Sequence, residues 1–305
     1  MSASRPRVIA IVGPTGTGKT ELACAIARKT GAEIVSADSM QVYRGLDIGT
    51  AKPSAELRAE IPHHAIDLVA PDEPMSAGRW AEAARAAAHA IDARRRPILL
   101  VGGTGLYARA FAGGLIADVE SDTGIREALE ARPLEDLRAE LTRLDPAAAS
   151  RIAANDRIRT VRALEALRLA GEPISKQQAR HGFKDRPFEV VWIGLGVGRD
   201  VLATRLRARV EAMFAAGLVE EVRGLHAAGF SPTLRSLSAI GYREVGWLLA
   251  GRISEAEAVE RTWIATRRYA KRQRSWFRAE PGLEWVDADA RDLVLERILA
   301  AISRR

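Results

Sequence analysis

The amino-acid sequence predicts an α/β fold, a parallel sheet covered by helices on both faces and interrupted by an all-α insertion. Three observations carry that expectation. Short apolar runs recur at Val8–Val12, Ile34–Val35, Ile98–Val101, Val190–Leu195 and Leu283–Val286. The text between them has helical spacing, and strands alternating with helices favour parallel pairing. From about Asp118 to Phe183 the strand pattern gives way to short amphipathic stretches punctuated by Pro133, Asp145-Pro146, Asn155-Asp156 and Gly171. We therefore expect the core to occupy residues 1–117 and 187–305, with a helical insertion at 118–186.

Each element has a local reason. Val8–Val12 runs into Gly-Pro, and Leu22, Ala25, Ile26 and Lys29 then follow at helical spacing. Ser76 precedes an Ala-rich run to about Arg94, the position and residue type of a helix N-cap. Helical stretches fill the chain from Leu195 to about Arg278, and an amphipathic helix closes it.

The composition narrows the classes. With 47% hydrophobic residues the chain can bury a sizeable core. Lys and Arg total 46 against 39 Asp and Glu, a formal charge of +7, which favours a polyanionic partner. Cys24 is the only cysteine, which excludes an intramolecular disulfide and a cysteine zinc site. No apolar run approaches a membrane span or a signal segment, so a cytoplasmic protein without a membrane partner is expected; a monomer is a separate expectation.

The first strand opens into Gly13, Pro14, Thr15, Gly16, Thr17, Gly18, Lys19 and Thr20, which match G-x-x-x-x-G-K-[ST] at every position. Glycines let the backbone approach an anion, Lys19 supplies charge, and the Thr20 hydroxyl can ligate Mg²⁺. The core is therefore P-loop NTPase-like, and the loop by itself suggests a nucleotide such as ATP. A phosphoryl-transfer enzyme usually adds an Asp at the end of a neighbouring strand. Pro-Ile-Leu-Leu-Val-Gly-Gly-Thr ends without one. Asp38, at the end of the second strand, is well placed for a ligand, although an Asp there is as often a turn cap.

Asp38 begins "DSMQVYRGLDIGTAKP", which resembles a signature of the tRNA dimethylallyltransferases (tRNA isopentenyltransferases), as do "VGGTGLY" at 101–107, "NDRIRTVRALE" at 155–165, "SAIGYRE" at 238–244 and "AKRQRSWFR" at 270–278. The motifs follow the family's order. The resemblance implies transfer of a dimethylallyl group from dimethylallyl diphosphate to N6 of the adenine 3′-adjacent to the anticodon. The phosphate loop would then hold a leaving diphosphate with Mg²⁺, and no water would need activation. Asp38 matches the family's proposed base, and Lys19, Thr20 and Thr104 join it at the reacting centre. The resemblance also implies contacts to the tRNA anticodon stem-loop. These involve Asp38, Ser39, Met40 and Gln41; Ile158, Arg159, Thr160, Val161 and Arg162 of the insertion; and Ser238, Ala239, Ile240, Gly241, Tyr242 and Arg243.

A last group is Lys271, Arg272, Gln273, Arg274, Ser275, Trp276, Phe277 and Arg278, within a basic helix at about 255–279. Seven basic residues and no acid lie between Arg261 and Ala279. On a helix Arg267, Lys271, Arg274 and Arg278 fall within about 60° of one another, with Tyr269 and Trp276 opposite. Like charges at i and i+4 repel, which points to an anionic partner rather than a solvated face. A small-molecule P-loop kinase or a prenyltransferase of free adenine nucleotide would have no use for this helix. A nucleotide-gated RNA-binding protein would keep it and ignore Asp38. His63-His64 is expected in an ordinary strand or turn. Trp80, Trp192, Trp247, Trp263 and Trp285 are expected in the core, and Asp67 and Asp72 are weak candidates for metal neighbours. With no cysteine after Cys24, no zinc finger is expected, which fits a compact bacterial form.

Overall fold

The structure is a computed structural model of the 305-residue chain and describes residues 5–114, 122–181 and 186–303. It divides into two compact units, Met1–Ala112 with Pro187–Arg305, and Gly113–Arg186. The insertion's start, expected at residue 118, and Phe183, where its helical pattern is read to stop, fall outside the described residues.

In the larger unit β1 (Arg7–Val12), α1 (Lys19–Thr30), β2 (Glu33–Ala37), α2 (Ala55–Glu60), β3 (His63–His64), α3 (Ala77–Ala93), β4 (Ile98–Gly102) and α4 (Gly105–Gly113) come first. The smaller unit follows with α5 (Thr123–Glu130), α6 (Leu134–Leu144), α7 (Pro146–Arg151), α8 (Arg157–Ala170) and α9 (Ile174–His181). The larger unit resumes with β5 (Glu189–Gly196), α10 (Arg199–Ala215), α11 (Leu218–Ala227), α12 (Tyr242–Leu249), α13 (Glu255–Arg278), β6 (Glu284–Asp287) and α14 (Arg291–Ser303).

Among the described residues one six-stranded sheet has the order β3-β2-β4-β1-β5-β6, and every pairing is parallel. The strands read as unbroken apolar runs because both faces are covered. Ile9, Ile11, Leu99, Val101, Ile193 and Leu195 pack on one face with Ile26 of α1 and Ile298 of α14. On the other lies α3, with Trp80, Ala84, Ala88 and Ile91 fully buried. Ser76 caps α3 as its sequence suggests, its Oγ accepting from the Arg79 amide at 3.1 Å. Parallel pairing gathers the carboxyl ends of β1, β2 and β4 at one edge, with Ala37 and Val12 both in register with Gly102. Ligands of open α/β sheets bind at such an edge.

The tryptophans divide. Trp80 is fully buried and stacks on Tyr107 at 4.4 Å between centroids. The other four expected in the core, Trp192, Trp247, Trp263 and Trp285, are only half-buried, contrary to that expectation. Trp247 lies beneath Arg243 and Arg261, and Trp263 beneath Arg207 and Arg267, so guanidinium groups cover rings that apolar packing leaves open.

The smaller unit has its own core of Leu129, Leu137, Leu141, Ala148, Ala149, Val161, Ala163 and Leu164. Asp145, 2% exposed, ties its helices: Oδ1 accepts from the Ala148 amide and Oδ2 from the Ser175 amide, each at 2.9 Å. Burial would raise its pKa, but the bonds from Ser175 and Ala148 outweigh burial and hold it below the usual carboxylate value. Asp145→Ala would orphan two amides and should destabilise this unit by about 2–4 kcal/mol, read by chemical denaturation. Because the folded value is the lower one, the wild-type contribution is present above the unfolded value and is lost as pH falls through the folded value. The gap between wild type and variant should therefore close in acid.

Candidate active site

The phosphate loop is built by backbone geometry. Gly13 has φ +138°, and a Cβ there would meet the Leu195 carbonyl oxygen at 2.5 Å, so no other residue fits. The loop then turns into α1, whose N-cap Gly18 supplies no side-chain cap, leaving first-turn amides for an anion. The Lys19 ammonium donates to the Pro14 carbonyl at 2.6 Å and the Thr17 hydroxyl to the same oxygen at 2.9 Å. Burial, reinforced by the neighbouring Arg209 guanidinium, pushes Lys19 down to about 7 against the pull of Asp38. A group held this way gains strongly from an arriving anion.

The loop opens into a cavity of about 830 Å³, which also takes in Thr20, Asp38, Ser39, Met40, Arg209 and Arg243. Asp38 follows β2, and one of its oxygens accepts from the Met40 amide at 2.8 Å. Among the described residues the other takes no hydrogen bond. Asp38 thus closes a turn through one oxygen and lines the cavity. Thr104 fixes the same turn, its Oγ1 accepting from the Ser39 amide at 3.0 Å.

The segment after Asp38 is knitted to itself. Gln41 accepts from the Ser36 hydroxyl at 2.8 Å and donates to the Thr50 and Ala51 carbonyls at 3.3 Å, so its amide is fully engaged within the loop. Lys52 is buried against Asp47 and Asp67 at 2.5 and 2.6 Å, and Arg58 shares Asp67. Asp67 is thus an ion-pair node, and Asp72 is exposed. Glu221 of α11 holds the loop from outside, accepting from the Ile48 amide at 2.7 Å and the Tyr242 hydroxyl at 2.5 Å. His63, in β3, is bonded to the Ile61 carbonyl through Nδ1, and His64 pairs with Glu33, in keeping with a strand.

Several residues expected at RNA are buried in the protein. Tyr242 is 1% exposed, Phe277 1%, Thr160 0%, Val161 3% and Gln273 5%. Gly241 is buried too, and its amide donates to Glu244 at 2.8 Å. The reason is periodicity: a contiguous motif on a helix contains inward positions every three to four residues. On α13 the buried row is Ala258, Thr262, Thr266, Ala270, Gln273 and Phe277, while Arg267, Arg268, Lys271, Arg272, Ser275 and Arg278 are exposed. Arg274 and Trp276 are half-buried, Trp276 lying under Arg109 at 4.9 Å. Among the described residues no carboxylate pairs with Arg267, Arg268, Lys271, Arg272, Arg274 or Arg278; Arg261 meets Glu257 at 4.0 Å. Beside the cavity, Ser238 is exposed, Ala239 and Ile240 are half-buried, and Arg243 pairs with Glu244. On α8 of the smaller unit Ile158 is 81% exposed, Arg159 pairs weakly with Asp156 at 3.4 Å, and Arg162 with buried Glu165 at 3.0 Å.

Sequence reasoning missed Arg205 and Arg209 of α10, both of which line the cavity. The signal was present. Leu202, Leu206 and Val210 mark the inward stripe of α10, and Arg209 falls three residues after Leu206, a cation where an apolar residue was due. Burial lowers the pKa of Arg209, with Asp38 opposing.

Among the described residues no three His, Cys, Asp or Glu side chains cluster to hold a metal. A Mg²⁺ ion does not need such a cluster, since it is commonly held by one or two protein oxygens plus substrate phosphates. Thr20, a hard oxygen donor on the same cavity as the phosphate loop, fits that mode.

Comparison with known proteins agrees with this geometry. A family model described as IPP transferase matches residues 41–280, and one described as isopentenyl transferase matches residues 6–61. The tRNA dimethylallyltransferase of Geobacter sulfurreducens is 47% identical over 295 residues, 94% of each chain. That of Anaeromyxobacter dehalogenans is 47% identical over 284 residues, 92% of this chain and 94% of its own. A crystal structure of the tRNA isopentenylpyrophosphate transferase from Bacillus halodurans superposes with a TM-score of 0.73 at 36% identity, covering 98% of both chains. A eukaryotic dimethylallyltransferase acting on tRNA gives a TM-score of 0.84 at 26% identity, covering 98% of this chain and 80% of the other.

Proposed function

The chain belongs to the tRNA dimethylallyltransferase (IPP transferase) family, and from that premise we propose that it transfers a dimethylallyl group from dimethylallyl diphosphate to N6 of the adenine 3′-adjacent to the anticodon. The observation that carries this reading is that one cavity is lined both by an anion cradle and by Asp38, one of whose carboxylate oxygens takes no hydrogen bond among the described residues.

In the reaction, N6 attacks the allylic carbon, the carbon–oxygen bond breaks, and diphosphate leaves. The first-turn amides of α1, with Lys19 and Arg209, neutralise the negative charge that grows on the departing oxygens, the kind of preorganised stabilisation that supplies much of enzymatic rate. Asp38 takes the N6 proton as the carbon–nitrogen bond forms. Mg²⁺, held by the Thr20 hydroxyl, would supply further charge on the diphosphate when bound.

The target base must leave the anticodon stack to reach Asp38. The outer face of α13 would grip the RNA backbone, and Ile158, Arg159 and Arg162 of the insertion would add a second contact. The small-molecule alternatives are not favoured, because neither explains a helix on which, among the described residues, six cations have no carboxylate partner. Incubation with ATP should release no ADP. Binding of unmodified tRNA should weaken steeply with salt, and the double variant Lys271→Gln/Arg278→Gln should shallow the log–log slope by about 2. An affinity indifferent to salt would remove α13 from RNA binding.

A further inference from the structure

Two pieces of the site that must act together lie on strands that do not touch. The phosphate loop follows β1 and Asp38 follows β2, with β4 between them. Their separation decides whether the donor's reacting carbon and the base-activated nitrogen meet, and such distances tolerate little error.

A single row of contacts spans the gap. The Thr15 amide, within the phosphate loop, donates to Gln273 Oε1 at 2.9 Å. That amide is therefore engaged by Gln273. Gln273 Nε2 donates to the Gly103 carbonyl at 3.0 Å, and a Cβ on Gly103 would lie 2.1 Å from that nitrogen. Next along the chain, the Thr104 amide donates to Ala37 at 3.1 Å, and Thr104 Oγ1 accepts from Ser39. Tyr269, one turn before Gln273 on α13, lines the same cavity, and its hydroxyl feels the Thr104 and Gln273 side chains, which oppose the rise that burial imposes on its pKa. The row thus runs from Thr15 to the residue beside Asp38, and both of its α13 members face the cavity from the helix whose outer face is basic.

We infer that Gln273 and Tyr269 are positioning residues that hold the phosphate loop in register with Asp38. Gln273, placed by its motif among the RNA contacts, serves instead as a strut inside the protein. The role is defined for the prenyl transfer proposed above and rests on that reading. Both side chains act through Thr15, Gly103 and Thr104, and neither needs to touch a substrate.

The test uses Gln273→Met, which keeps the length and loses both hydrogen bonds, and Tyr269→Phe, which keeps the ring and loses the hydroxyl. Each is made in the wild-type protein and in Asp38→Asn. Transfer of labelled dimethylallyl to tRNA is measured at saturating substrates, beside tRNA affinity and melting temperature. In the wild-type background kcat should fall on the order of 10- to 100-fold for Gln273→Met and about 10-fold for Tyr269→Phe, with tRNA affinity unchanged. In the Asp38→Asn background the same changes should cost far less, because register matters chiefly while Asp38 takes the proton. Equal losses in both backgrounds, or a wild-type kcat in either variant, would overturn the role. Tyr269→Phe keeps the test decisive if Gln273→Met fails to fold. A wild-type protein that transfers no label to tRNA would instead refute the reaction itself.

Discussion

Asp38→Asn should slow single-turnover transfer about 10²- to 10⁴-fold while tRNA affinity stays nearly constant. The structure explains why the substitution is so selective. An asparagine can still present a side-chain oxygen to the Met40 amide, so the turn that Asp38 closes survives. It cannot accept the N6 proton. Asp38 also supports the charge of Lys19, which burial and Arg209 otherwise depress, so the variant loses part of its anion cradle as well. Wild-type turnover in this variant would remove Asp38 from the mechanism.

Lys19→Ala is expected to lower kcat/KM for dimethylallyl diphosphate by about 10²- to 10³-fold, the usual cost of losing one preorganised charge-stabilising donor. Arg209→Ala should act in the same direction. Both groups would address one diphosphate, so the double variant should lose less than the product of the single effects. Stability should move the other way. Lys19 is buried beside another cation and far below its ordinary protonation range, so its removal should leave the melting temperature unchanged or raise it. A Lys19→Ala protein that melts much lower but binds the donor normally would mean that Lys19 serves the fold rather than the ligand.

Much of this molecule is legible in its sequence. Strands buried on both faces show as uninterrupted apolar runs, the phosphate loop has a fixed spacing, and Ser76 announces a helix in the residue type that caps it. Strand order is not legible, because β2 and β1 are separated by β4, which comes later in the chain. The direction of individual side chains on a motif is lost for a related reason. "AKRQRSWFR" reads as one basic patch, yet its helix turns Gln273 and Phe277 inward while Lys271 and Arg278 remain outside. Arg209 sits in no motif, although its place on the apolar row of α10 is a usable sign. Asp38 shows the limit most clearly: a turn cap and a base have the same spelling, and the proposed role rests on the oxygen that takes no hydrogen bond among the described residues.

That the bond broken lies between carbon and oxygen, and that the acceptor is RNA, is tested most directly with dimethylallyl diphosphate labelled in the allyl group. The protein and Mg²⁺ are incubated with this donor and either unmodified tRNA or AMP. The expected result is label in tRNA alone, recovered after nuclease digestion on the N6-substituted adenosine next to the anticodon, with diphosphate released. Label on AMP, or on neither acceptor, would contradict it.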